Sequence, residues 1–126
     1  MKKYSIFLIL ILFSVFISSC KYDFILPEVV VPVTGGVSFA KDVAPIFTTG
    51  DKCTSCHNTG GTSPDLTAAK AFAQINTANY INKTTPAVSK IYSFTAPATN
   101  THTWKKYTAG EAAIILQWIT EGAKNN

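Results

Sequence analysis

Apolar positions follow three different rhythms along the chain. Residues 6–17 are apolar apart from Ser14, a run of about twelve residues behind Met1-Lys2-Lys3. That run is short of the roughly twenty residues a membrane-spanning helix needs. Residues 21–36 then hold Pro27, Pro32, the valines of 29–33 and Gly35-Gly36. Proline fixes φ and removes a donor, so the pattern predicts an extended tether, with an edge strand as the alternative. From Ser38 the spacing becomes helical. Ser38 can cap a helix that carries Phe39, Val43, Ile46 and Phe47 on one side, kinked or divided at Pro45 and ended by Gly50-Asp51. Residues 66–75 read as a short helix and 78–81 as a helical fragment. Thr108-x-x-Glu111 is a capping box ahead of Ala112, Ile115, Leu116 and Ile119, with Ile114 and Trp118 widening the stripe and Gly122 as the stop. This last helix is expected to pack across the first near Phe47, with Trp118 in the core.

The chain of 126 residues has room for one domain. Its expected organisation is a leader over 1–19, a tether over 20–36 and a folded domain over 37–126. A basic start, an apolar stretch and small residues before a cleavage point make a bacterial export signal. Ile17-Ser18-Ser19-Cys20 resembles the lipobox of bacterial lipoproteins. The resemblance implies that Cys20 is diacylated and becomes the first residue of a membrane-anchored protein facing the periplasm or the cell surface. More than one acyl chain is needed for stable anchoring, because each buried CH₂ contributes only about 0.8 kcal/mol. A plain cleaved signal is the alternative, and either route exports the domain.

Net charge is +4, and every basic residue is Lys. Without Lys2 and Lys3, nine lysines face seven carboxylates, leaving +2. No lysine cluster accompanies that balance, so nucleic acid is not an expected partner. Three cysteines fit no simple disulfide framework. Cys20 belongs to the leader, and the other two stand together in Cys53-Thr54-Ser55-Cys56-His57.

C-x-x-C-H is the attachment signature of c-type haem. Two thiols must reach two vinyl groups of one porphyrin, and the next residue must present its imidazole to the iron. The pattern therefore marks Cys53 and Cys56 as haem attachment points and His57 as an iron ligand, with one covalently held haem c per chain. Three other readings compete. A thioredoxin-like dithiol wants a βαβ setting and no adjacent His. A zinc site could recruit Cys53, Cys56, His57 and His102, but adjacent Cys56 and His57 suit one tetrahedron poorly. A disulfide across four residues would be strained.

In order, Asp42-Val43-Ala44-Pro45-Ile46-Phe47, the C-x-x-C-H motif, Asp65-Leu66-Thr67, residues 86–92 (ProAlaValSerLysIleTyr) and residues 118–123 (TrpIleThrGluGlyAla) resemble the planctomycete-type cytochrome c domains, a branch of the class I cytochrome c superfamily. The likeness covers about residues 39–124. It implies an all-α, loop-rich, small cytochrome c-like fold of three to four short helices around one covalently bound haem. It also places Pro64 where small cytochromes c have the proline whose carbonyl accepts the Nδ1 proton of the iron-bound histidine. Relatives often have a Met-Pro pair before the last helix; here Thr101-His102-Thr103-Trp104 stands instead.

The only Met is Met1, so a thioether ligand is out of reach once the leader is removed. His102 is the one remaining histidine, and His57/His102 coordination is the expected arrangement. An open or water-bound iron, or ligation by Lys105 or Lys106, are the alternatives. No acid–base pair or nucleophile constellation is visible, so the expected role is one-electron transfer between redox partner proteins at a membrane. A haem-based sensor of small gases or redox state, or a peroxidase-like enzyme, would need an open sixth position.

Overall fold

The computed structural model describes residues 34–126. The leader, Cys20 and all of the expected tether before Thr34 lie outside the described residues. Among the described residues there is no strand. Four short helices, α1 (Ala44–Thr48), α2 (Ala71–Ile75), α3 (Lys90–Ser93) and α4 (Ala109–Thr120), are joined by long loops. The result is a small, loop-rich, all-α fold. None of these helices is long and apolar enough to cross a membrane.

The first helical segment is divided where proline dictates. Residues Phe39–Val43 form a wide π turn that leads directly into α1, with Pro45 in the first turn of α1. Pro45 has no N–H to give to the preceding turn, so a regular ladder cannot run through it. Ser38 caps the segment by accepting from the Lys41 N–H, and Asp42 accepts the Ser38 N–H at 2.8 Å. The motif turn follows α1 closely, and the Cys53 N–H donates to the Phe47 carbonyl at 3.0 Å.

Helix α2 is shorter than the expected 66–75. The Asp65 carboxylate takes both the N–H and the hydroxyl of Thr67, at 3.1 and 2.6 Å, and holds that stretch in a side-chain-bonded turn. Regular helix begins only at Ala71. Residues 78–81 make a single turn, with the Tyr80 and Ile81 N–H groups both bonded to the Thr77 carbonyl.

Helix α4 has the expected capping box: Glu111 N–H donates to the Thr108 hydroxyl while Thr108 N–H donates to the Glu111 carboxylate. Its end is a Schellman motif. Gly122 at φ +100 supplies the left-handed residue, and the Gly122 and Ala123 N–H groups reach the carbonyls of Ile119 and Trp118. Trp118 is fully buried and its indole N–H donates to the Lys124 carbonyl. Its ring lies 5.3 Å from Phe39, which in turn meets Phe72 edge-on at 5.1 Å. The contact between α4 and the first segment is thus seen at Phe39, within the π turn, with Phe47 buried nearby in the same core.

Candidate functional site

A cleft of about 550 Å³ opens beside this core, within the roughly 300–1,000 Å³ usual for small-molecule and cofactor sites. Most of its lining comes from two stretches of chain, with Tyr80 and Lys90 added from between them. One is the motif turn and the loop after it, with Cys53, Cys56, His57, Pro64 and Leu66. The other runs from Ile91 to Tyr107 and supplies Phe94, His102 and Trp104. Cys53, Cys56, His57, Pro64 and His102 therefore line one cavity, as does Lys105 of the two alternative lysine ligands, whereas Lys106 does not. Cys20, the expected lipidation site, lies outside the described residues.

The motif is a tight turn. The Cys56 and His57 N–H groups both donate to the Cys53 carbonyl, at 3.2 and 2.9 Å. The loop that follows folds back on it through Thr62 N–H to the Cys56 carbonyl and Leu66 N–H to the His57 carbonyl, each at 2.8 Å. The return depends on Asp65. The Thr59 and Thr67 hydroxyls donate to its carboxylate, with smaller help from the Thr67 N–H and Lys70, and hold it well below the usual carboxylate range.

That loop also fixes His57. Its Nδ1 lies 3.2 Å from both the Thr62 and the Pro64 carbonyl oxygens. Carbonyls only accept, so Nδ1 bears a proton and Nε2 is the nitrogen that can offer a lone pair. Among the described residues Nε2 has no hydrogen-bond partner. The second histidine is placed differently. His102 Nδ1 is buried without a partner, and the two imidazole centres are 6.2 Å apart with their planes 29° from parallel.

That spacing has a chemical meaning. Two imidazole nitrogens on opposite sides of one metal, each about 2 Å from it, put their ring centres roughly 6.3 Å apart. Among the described residues no three His, Cys, Asp or Glu side chains gather as a metal site. A metal held between these rings would have to bring its remaining ligands with it.

The two cysteines among the described residues are free thiols, Cys53 half-buried and Cys56 exposed. Burial pushes the Cys53 thiol up; the nearby Lys52 opposes this, Glu111 adds to it, and Lys105 opposes it further. A dithiol oxidoreductase needs the reverse, a thiolate favoured near neutral pH. With no strand among the described residues, the βαβ setting of such enzymes is also missing there.

Three contributors carry no motif that would mark the contacts they make, although the sequence offers Lys105 as an alternative ligand. Tyr107 is buried in the lining and donates to the Ile91 carbonyl at 2.9 Å. Lys105 lines the cleft and donates to the Asp51 carbonyl and the Ser55 hydroxyl, both at 3.0 Å. Lys52, next to Cys53, pairs with Glu111 of the capping box and ties α4 to the motif. Compared with protein-family models, curated proteins and solved structures, the chain matches none.

Proposed function

We propose that this chain is an exported, lipid-anchored, single-haem c-type cytochrome that carries one electron at a time between redox partner proteins outside the cytoplasmic membrane. The observation that carries the reading is the C-x-x-C-H turn opening on an apolar-lined cleft with a second imidazole 6.2 Å from the first. The donor set suits haem because a porphyrin brings four of the iron's six ligands, leaving two for the protein.

The residues divide the work. The Cys53 and Cys56 thiols would hold one porphyrin through thioether bonds to its two vinyl groups. Thr62 and Pro64 hold the Nδ1–H of His57 and leave Nε2 to ligate. His102 would supply the second protein nitrogen. Bound haem iron supplies the reversible one-electron couple. Leu66, Ile91, Phe94 and Tyr107 line the cleft and would shield a bound group from water. Two imidazoles in place of a His/Met pair set the potential on the low side for such carriers. The lipobox-like Cys20 would keep the carrier at the envelope, and its modest net charge, without a lysine cluster, does not call for a nucleic-acid partner.

The test is an absorption spectrum of wild type and His102→Ala made in a host that matures cytochromes c. Wild type is expected to show a Soret band and a low-spin, six-coordinate spectrum that carbon monoxide changes only slowly after reduction, no faster than His102 leaves the iron. His102→Ala is expected to turn high-spin and bind carbon monoxide. A high-spin wild type that binds carbon monoxide at once would instead make the chain a sensor or peroxidase-like enzyme. Bound zinc without a Soret band would overturn the haem reading.

A further inference from the structure

The two histidines of the cleft are held in unlike ways. His57 has two carbonyls on its Nδ1, whereas the buried Nδ1 of His102 has none. A ligating imidazole is ordinarily oriented by a bond from its other nitrogen. For His102 that orientation has to come from the loop that bears it.

Most attachments of that loop close within its own base. The Tyr107 N–H donates to the Thr95 carbonyl at 3.0 Å, and the Thr101 hydroxyl to the Phe94 carbonyl at 3.2 Å. Lys106 caps the carbonyls of Pro97 and Thr99. These bonds give the loop a shape, but they do not tie it to the motif. Among the described residues one side chain of the loop hydrogen-bonds across to the motif. Lys105 reaches the Asp51 carbonyl and the Ser55 hydroxyl, 54 and 50 residues away in sequence. Ser55 stands between the two cysteines. Lys105 also sits at φ +48, the left-handed region that side-chain-bearing residues rarely adopt. The backbone takes an unfavourable conformation at the residue that makes the bridge.

We infer that Lys105 is a positioning residue: it latches the His102 loop to the C-x-x-C-H turn and so governs how readily His102 leaves the iron. The inference rests on the haem reading above and adds to it a residue that sets the sixth-ligand exchange rate without touching the iron. Lys105 is then not itself a ligand, because its ammonium is engaged on the motif side.

The measurement is carbon monoxide binding to the reduced holoprotein by rapid mixing, for wild type, Lys105→Ala, Lys105→Arg and Ser55→Ala. Lys105→Ala is expected to bind roughly two- to fivefold faster, the effect of losing exposed hydrogen bonds from a charged group. Ser55→Ala removes one of the two acceptors and should shift the rate the same way by less. Lys105→Arg keeps donors in reach and should stay near wild type. A Lys105→Ala rate equal to wild type in red, haem-loaded protein overturns the latch and leaves the haem reading standing. A resting Lys105→Ala spectrum that is high-spin while His102→Ala stays low-spin also overturns it, by making Lys105 the ligand. A colourless wild type sinks the haem reading itself, and the latch with it.

Discussion

At Gly61 the room for a side chain is already taken. A Cβ there would meet the Cys56 carbonyl oxygen at 2.5 Å and the Asn58 side-chain oxygen at 2.8 Å. The Cys56 carbonyl cannot simply retreat, because it accepts the Thr62 N–H, whose own carbonyl faces His57 Nδ1. Gly61→Ala is therefore expected to cost about 1–3 kcal/mol, the usual range for a steric fault of this kind. Denaturant unfolding of the holoprotein measures it, and a change within about 0.5 kcal/mol would contradict the packing described. Residues of this sort bound what the sequence discloses about the site. Cys53, Cys56 and His57 stand out because their chemistry needs fixed spacing, and His102 because no other histidine remains. Pro64 stands out only through a family resemblance. Gly61, Tyr107 and Lys105 act through contacts between distant or tightly folded backbone, and no local pattern announces such contacts.

Among the elements, α4 is the one most completely written in its own residues. Thr108, Glu111 and Gly122 each act on backbone within four positions, so local chemistry fixes both ends. Thr108→Ala should cost about 1 kcal/mol, as caps of this type do. Thermal melting of the holoprotein detects it; an unchanged Tm would mean the cap is redundant. Pro45 is legible for the same reason, since a missing N–H breaks any ladder wherever it falls. The segment before α2 is not. Its apolar spacing from Leu66 suits a helix, but Asp65 captures the Thr67 N–H and hydroxyl, and those bonds win over the first helical turn. The same carboxylate takes the Thr59 hydroxyl from the other side of the loop. Periodicity carries no information about such a competitor.

At the scale of the whole molecule, the two ends of the domain clasp each other. The Val37 N–H donates to Glu121 at 2.7 Å, and the Ala40 N–H and Ser38 hydroxyl both reach the Asn126 carbonyl. The Val37 N–H is the main reason the Glu121 carboxyl lies below its ordinary value of 4.5, with the Gln117 amide and Lys124 assisting. Asp65 is likewise held below its ordinary 3.8. Both carboxylates favour the native state when ionised, so their contributions are complete above those values and fade as pH falls below them. Tyr107 works at the opposite end. Burial raises its phenol above the ordinary 10.0, so its contribution is complete below that pH and fades as pH rises beyond it. From these groups, stability should be level between about pH 5 and 9 and decline on both sides; a Tm series across pH checks this. A maximum confined to one end of the plateau would contradict it.

The central claim is that the motif thiols are consumed in holding a porphyrin. The intact mass of the protein, purified from a host competent to mature cytochromes c and treated with a thiol-alkylating reagent under denaturing conditions, tests it most directly. The account predicts a red protein heavier by one haem, with Cys53 and Cys56 both refusing the reagent. A colourless product in which both thiols are alkylated would contradict it.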